Sequence, residues 1–427
     1  MGDVLNFKCP CCGAALSFSG KTGEMTCEYC DASFTMEQAQ AAQEAEKEDA
    51  ASSDMTWTTS EQLMITDENG KMTGYKCPSC KAEMVADENT AATECPYCGN
   101  QAIIPQAFEG IYKPDLVVPF AVDKETAKGK LSEFTKGKML LPKSFTEGNR
   151  IEEITGMYVP FWLYSCHASG TVSFEGVKEK RWDDDNFRYV KKDHYNITRS
   201  GEMDFDRIPV DAATQMDDDT MESLEPYDLS KGVEYNAAYF SGYLANKYDV
   251  EESEAQPRAN ERVRNTFKQK LREEVTGYVD VSEKNESIEL DDAKAEYAML
   301  PVWMMTTRYN DESFTFGING QTGKMVGSLP VDKGLYWMHF AIGTVICMAV
   351  MQLILSIAGY MSFGGECVAL IISLVAGFGY VSFLKSQMNT ISAQSGAGGY
   401  LMDDSISMDA PEDLFMYSKT EKQMKQS

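Results

Sequence analysis

The chain has 427 residues and a formal charge of −27, with 66 acidic against 39 basic residues, three His and 12 Cys. That length holds more than one domain. The acidic balance, with no Lys/Arg-rich block, opposes nucleic-acid binding, which needs a concentrated positive footprint, and cysteines this sparse exclude a small secreted disulfide scaffold.

The first element, residues 1–35, is built on two C-x-x-C pairs, Cys9/Cys12 and Cys27/Cys30, separated by 14 residues. The same spacing returns 68 residues later as Cys77/Cys80 and Cys95/Cys98, within residues 71–106. Phe7-Lys8-Cys9-Pro10 matches Tyr75-Lys76-Cys77-Pro78, and Ala14, Thr22 and Tyr29 match Ala82, Thr90 and Tyr97. Four thiolates in two knuckles close a tetrahedral shell around Zn²⁺ and leave no open position for a substrate. The repeat therefore predicts two tandem zinc ribbons with two structural zinc ions, held by Cys9, Cys12, Cys27 and Cys30 and by Cys77, Cys80, Cys95 and Cys98. Cys11 aligns with Ser79 and is not a ligand in this reading. Residues 1–20 have no apolar segment of the secretory kind. Between the ribbons, residues 36–70 begin with an Ala/Glu/Gln-rich stretch, expected to be a solvated helix or a disordered tether that lets the first ribbon move.

Residues 107–333 read as an α+β domain. Leu116-Val117-Val118-Pro119-Phe120 is strand-like, and 124–136 has helical composition. A strand through Tyr158-Val159-Pro160-Phe161-Trp162 continues by alternation into 171–175. The unit returns as Met299-Leu300-Pro301-Val302-Trp303, preceded by the charged helical stretch 253–274, so the domain is expected to contain an internal duplication of helix plus hairpin. His194 is placed in a charged loop. From Glu202 to Asp228 there are ten acidic residues and one basic, Arg207, without the alternating ligands of a calcium loop; a solvated acidic loop is expected. Gly320-x-x-Gly323-Lys324 has the wrong spacing for a phosphate loop and reads as a hairpin turn.

The last elements are apolar. Leu335 to Tyr360 carries no charge over 26 residues, and Cys367 to Leu384 none over 18. Each is long enough to cross a bilayer, and the six-residue link between them forces a helical hairpin over 334–385. Lys333 and Lys385 flank its outer ends, which predicts a multi-pass cell-membrane protein with both termini cytoplasmic. Residues 386–427, with a Ser/Gly-rich stretch and mixed charge, are expected to be a disordered cytoplasmic tail.

No reaction is nominated. Cys166 and His167 are adjacent on a strand and point to opposite faces, so they form no nucleophile–base couple. No nucleophile elbow, zinc-protease helix, dinucleotide fingerprint or Walker loop occurs. Catalytic and cofactor-binding residues are therefore none beyond the zinc ligands.

The C-P-x-C and C-x-Y-C knuckles resemble the transcription-factor-IIB-type or rubredoxin-like zinc-ribbon group, although Asp31 and Lys81 stand where Gly often follows a knuckle. The order of parts over residues 1–385 is similar to a family of bacterial zinc-ribbon membrane proteins of unassigned function. Tyr158-Val159-Pro160-Phe161-Trp162, Gly242-Tyr243-Leu244-Ala245, Leu300-Pro301-Val302-Trp303 and Asn319-Gly320-Gln321-Thr322-Gly323-Lys324 carry that likeness. Members are sometimes labelled replication-restart helicases; such a motor needs nucleotide-binding motifs that this sequence lacks. The functional expectation is a membrane-anchored zinc-binding scaffold or adaptor presenting its ribbons to a cytoplasmic protein. The alternatives are a membrane-tethered nucleic-acid-binding ribbon protein and an enzyme whose site lies in the α+β domain.

Overall fold

The computed structural model describes residues 72–87, 95–98, 100, 104–106, 111–146, 154–215, 217–240, 242–309, 312–359, 363–392 and 394–424, together with the short stretches 17–19, 24–26, 33–35, 58–59 and 64–65. Three short strands, β1 (Ser17–Ser19), β2 (Glu24–Thr26) and β3 (Ser33–Phe34), form an antiparallel sheet. β4 (Thr58–Thr59) and β5 (Met64–Ile65) follow. The second Cys region contributes β6 (Met72–Lys76), β7 (Glu83–Asp87) and β8 (Ile104–Gln106), and β9 (Ile111–Tyr112) and β10 (Leu116–Val117) lead onward. Next come helix α1 (Lys124–Thr135), the single turn α2 (Lys143–Thr146), strands β11 (Thr155–Asp183) and β12 (Phe187–Asp211), helix α3 (Asp218–Ser223) and β13 (Leu244–Asn246). Helix α4 (Glu252–Glu273), strands β14 (Asp280–Tyr309), β15 (Glu312–Asn319) and β16 (Met325–Gly327), apolar helices α5 (Lys333–Ala358) and α6 (Phe363–Ser386), and strands β17 (Ser407–Met408) and β18 (Glu412–Met424) complete the chain.

The centre is a long antiparallel blade. β11 pairs with β14 from Thr155↔Met304 to Val177↔Asp280, and with β12 from Phe161↔Asp211 to Asp183↔Arg188. At about 3.3 Å per residue, the 29 residues of β11 span on the order of 90 Å. Its first third is apolar at nearly every position because both faces are covered: Tyr158, Trp162 and Tyr164 pack on one side, Met157, Val159, Phe161 and Leu163 on the other. From Ser165 the pattern alternates. Cys166, Ala168, Val172 and Phe174 are buried with Ala259, Val263 and Phe267 of α4, while Ser169, Thr171 and Ser173 on the opposite face are half-exposed. α4 supplies buried residues at helical spacing, Ala255, Ala259, Val263, Phe267 and Leu271.

The two halves repeat one hydrogen-bond scheme. Trp162 Nε1 donates to Val250 O at 3.0 Å, and Trp303 Nε1 to Val122 O at 2.8 Å, each acceptor lying two residues before a helix. Ala212 N donates to Pro160 O and Gly320 N to Pro301 O. Asp249 N and Val250 N both reach Ala212 O, as Ala121 N and Val122 N both reach Gly320 O. Each hairpin is thus clasped by the segment that precedes the other half's helix.

Three expectations are corrected here. Residues 202–228 are not a solvated loop: Glu202–Asp211 completes β12, and Asp211, Glu222 and Glu225 are buried. Glu225 survives burial through Arg262, whose guanidinium reaches it at 2.7 and 2.9 Å. His194 lies in β12 and not in a loop. The described residues after Ser386, 387–392 and 394–424, are built into the body: Arg262, Asn265 and Thr266 of α4 hold Gly396, Ser395 and Ala397, and β18 extends the blade along β12. β18 is secured by backbone pairing and buries only Met416, so its composition looked like a tail.

α5 and α6 are long and apolar enough to cross a membrane, each with a window of mean hydropathy 2.3. Side chains such as Val345, Ile357 and Val375 are mostly exposed. The helices meet through a small-residue stripe, Ala369, Ser373 and Gly377. A Cβ at Gly377 would sit 2.2 Å from Thr344 Oγ1, so only glycine permits this approach. The pair is rooted in the body, where Val381, Leu384 and Met388 pack with Leu140, Leu141 and Leu329.

Candidate metal centre

The second Cys region begins with local backbone geometry. Cys77 N donates to Ala82 O at 2.9 Å and Lys81 N to Cys77 O at 3.0 Å, closing the first knuckle. Lys81 stands at φ 67°, the left-handed conformation that explains why glycine is frequent at this position. Cys95 N donates to Asn100 O at 2.9 Å in the second knuckle.

The Sγ atoms of Cys77, Cys80, Cys95 and Cys98 all lie within 4.8 Å of one another. Cys77 to Cys98 and Cys80 to Cys95 are both 3.6 Å. Four sulfurs at ~2.3 Å from a tetrahedral metal are ~3.8 Å apart, and a disulfide would need ~2.05 Å, so the cluster is spaced for a metal ion. The donor set fits a thiophilic cation that holds four thiolates together. Burial raises Cys77, but the backbone N–H groups of Cys80 and Ser79 outweigh it and pull the thiol down to about 7. Burial pushes Cys80 up to about 11 and raises Cys95 further. A cation bound by the cluster would keep these two deprotonated inside the protein.

The cluster is welded to the blade. β7 pairs with β13 through Ala245↔Val85 and Asn246↔Met84, and β13 pairs with β11. The second Cys region therefore shares the main sheet. Cys77, Ala82, Met84, Cys95 and Tyr97 join the core that holds Val159 and Phe161. Thr306 Oγ1 of β14 donates to Pro96 O at 2.7 Å and Tyr97 O at 3.1 Å, inside the second knuckle.

Of the eight expected ligands, the structure brings these four together. Cys9, Cys12, Cys27 and Cys30 lie outside the described residues. Next to them in sequence, Phe34 of β3 is 1% exposed and meets Tyr417 of β18 edge-on at 5.8 Å, and Tyr417 stacks on His194 at 4.4 Å. Sequence reasoning missed two supporting residues. Asn100 donates toward Cys77 Sγ at 3.9 Å, but its counterpart in the first copy is Ala32, so the repeat carried no signal. Thr306 follows a continuously buried run of β14, stands beside a second Thr and is remote in sequence from the cysteines.

His167 and His194 are each held by a carboxylate of the blade. His167 Nδ1 meets Asp204 at 2.6 Å and His194 Nδ1 meets Glu175 at 2.9 Å, both across paired strands. Cys166 is buried on the other face, and burial raises its thiol to about 12. A cavity of about 470 Å³ between α4 and residues 394–400 is lined by Glu225, Arg262, Lys324 and Tyr400. Its guanidinium is spent on Glu225, Pro209 O and Gly396 O. Asn319 Oδ1 accepts from Gln321 N and Thr322 N, which makes the Gly320–Lys324 stretch a hairpin turn.

A curated protein of Bacillus subtilis (strain 168), described as "Uncharacterized protein YdjG", is 29% identical over 333 residues, which covers 66% of this chain and 98% of the relative. No protein-family profile matches, and no solved structure matches significantly.

Proposed function

We propose that the chain is a membrane-anchored zinc-binding scaffold or adaptor that presents tandem zinc ribbons to a cytoplasmic protein partner. The observation that carries this reading is a closed four-thiol cluster fixed on a long blade whose base is packed on two apolar helices. Four cysteines satisfy a tetrahedral ion completely, so the metal shapes a surface and does no chemistry on a substrate. α5 and α6 cross the bilayer as a hairpin, and Lys333 and Lys385 hold its outer ends on the cytoplasmic side. Zinc thiolates belong in that reducing compartment.

The blade gives the scaffold reach. The second ribbon docks around the Met157–Leu163 level of β11. Phe34, just after the first ribbon's cysteines, docks beside His194, which pairs with Val177. Those two levels are ~60 Å apart along the strand, so two contact surfaces are held at different heights above the membrane. The test is affinity purification of the full chain from solubilised membranes, comparing wild type with Cys77→Ser. A protein captured by wild type and lost in the variant supports the reading. Identical capture by both, with zinc lost from the variant, rejects it.

A further inference from the structure

We propose that residues 136–143 form a second, peripheral membrane contact, with Met139 seated at the acyl boundary and Lys136, Lys138 and Lys143 among anionic phospholipid headgroups. This rests on the reading of α5 and α6 as a membrane hairpin. The first observation is a local inversion of charge. In a chain of net charge −27, residues 124–143 carry six Lys against two Glu. An acidic balance over the whole chain opposes contact with an anionic leaflet, and this segment carries the opposite sign.

The second observation is where the segment lies. Asp332 N, one residue before α5, donates to Leu140 O at 2.9 Å, and Lys138 Nζ donates to Gln387 O, one residue after α6, at 2.6 Å. The segment therefore touches both roots of the hairpin. Leu140 and Leu141 are buried with Val381 and Leu384, which fixes its height. Gly137, at φ 78°, turns the chain out of α1 toward the hairpin.

The third observation is depth. Met139 Sδ lies 3.9 Å from the hydroxyl of Tyr380. Tyr380 is six residues before the end of α6, ~9 Å along its axis, and helix side chains lean toward the N-terminus, here away from the body. Met139 thus reaches past the helix roots toward the apolar zone. It is 55% exposed, although its neighbours Leu140 and Leu141 are buried, so its apolar surface faces whatever surrounds the hairpin. Trp337, 64% exposed in the first turns of α5, sits at the same end as an interfacial aromatic. An apolar residue dipping below a row of lysines is the arrangement of a peripheral membrane contact.

The test uses the full chain in lipid nanodiscs, with a benzophenone amino acid in place of Met139, Val375 or Val279. Val375 and Val279 are both 68% exposed, the first on α6 and the second on the blade. The discs contain phosphatidylcholine alone or mixed with phosphatidylglycerol. Light-induced lipid adducts are expected at 139 and 375 and not at 279. In the mixed discs, Lys136→Gln/Lys138→Gln/Lys143→Gln should lower the adduct at 139 at least about fivefold, the factor carried by one lysine's ~1 kcal/mol of attraction to an anionic leaflet, and leave 375 unchanged. Adducts at 375 without any at 139 overturn the proposal while the hairpin stands. A yield at 139 that ignores both the lysines and phosphatidylglycerol overturns the headgroup contact. No adduct at 375 overturns the membrane reading itself.

Discussion

Replacing Thr306 by Val should loosen the second ribbon without touching a metal ligand. The substitution keeps the β-branched shape and removes only the hydroxyl, which is why Thr and Val are not equivalent in a core. Thr306 Oγ1 donates at 2.7 Å to Pro96 O and 3.1 Å to Tyr97 O, and the residues at both acceptors are buried. Stranding a buried carbonyl costs about 1–3 kcal/mol. The knuckle between Cys95 and Cys98 is where this hold acts. If the ribbon must leave β14 before it opens, zinc escape should quicken by the same free energy, about 5- to 150-fold. The assay is release of zinc from the detergent-solubilised full chain to a chromogenic chelator. Two phases are expected, one per ribbon, and only one of them should accelerate. Thr306→Ser, which keeps the hydroxyl, should stay within a few-fold of wild type. Equal rates for wild type and Thr306→Val would refute the idea that the blade clamps the ribbon through this bond.

Other consequences follow from single residues. Gly377→Leu should push α6 off α5, because a Cβ already lies 2.2 Å from Thr344 Oγ1; overpacking costs about 1–3 kcal/mol, read as earlier thermal aggregation in detergent. The hydrogen bond that His167 donates to Asp204 raises the pKa of His167 above its usual 6.5, so its stabilising effect is complete below that value and fades as pH rises through the folded-state pKa. His167→Gln should therefore lower Tm at about pH 6 and make no difference at about pH 9, with a modest size because His167 is 34% and Asp204 43% exposed. An impermeant thiol reagent applied to intact cells should label Ser362→Cys and leave probes at positions 5 and 420 unlabelled; labelling at either of those positions contradicts a hairpin with both termini inside.

The most legible parts of this sequence were those whose constraint is local. Four cysteines within 22 residues define a shell whatever surrounds them, and two uncharged runs define apolar helices. The paired Pro-Trp units were legible because each Trp must place its indole N–H, and both find a carbonyl just before a helix. The length of the blade was not legible. β12 and the outer half of β14 are covered by α4 on one face only, so residues such as Ser282, Ser287 and Glu289 on the other face, and Glu286 paired with Arg264 and Lys268 of α4, interrupt the apolar signal that marks a buried strand. The acidic stretch misled because Asp211 and Glu225 are buried, and the partner of Glu225 is Arg262, 37 residues away. β18 depends on backbone pairing with β12, which leaves almost no trace in side-chain pattern. Thr306 and Asn100 reach the cysteine cluster from positions that neither spacing nor repetition marks.

The central claim is that this chain carries two closed zinc–thiolate centres. Elemental analysis of the full-length, detergent-solubilised protein, combined with X-ray absorption at the metal edge, tests it most directly. The expected result is close to two zinc ions per chain, each surrounded by four sulfurs at ~2.3 Å. One equivalent, iron in place of zinc, or a sulfur–sulfur bond between Cys77 and Cys98 would contradict it.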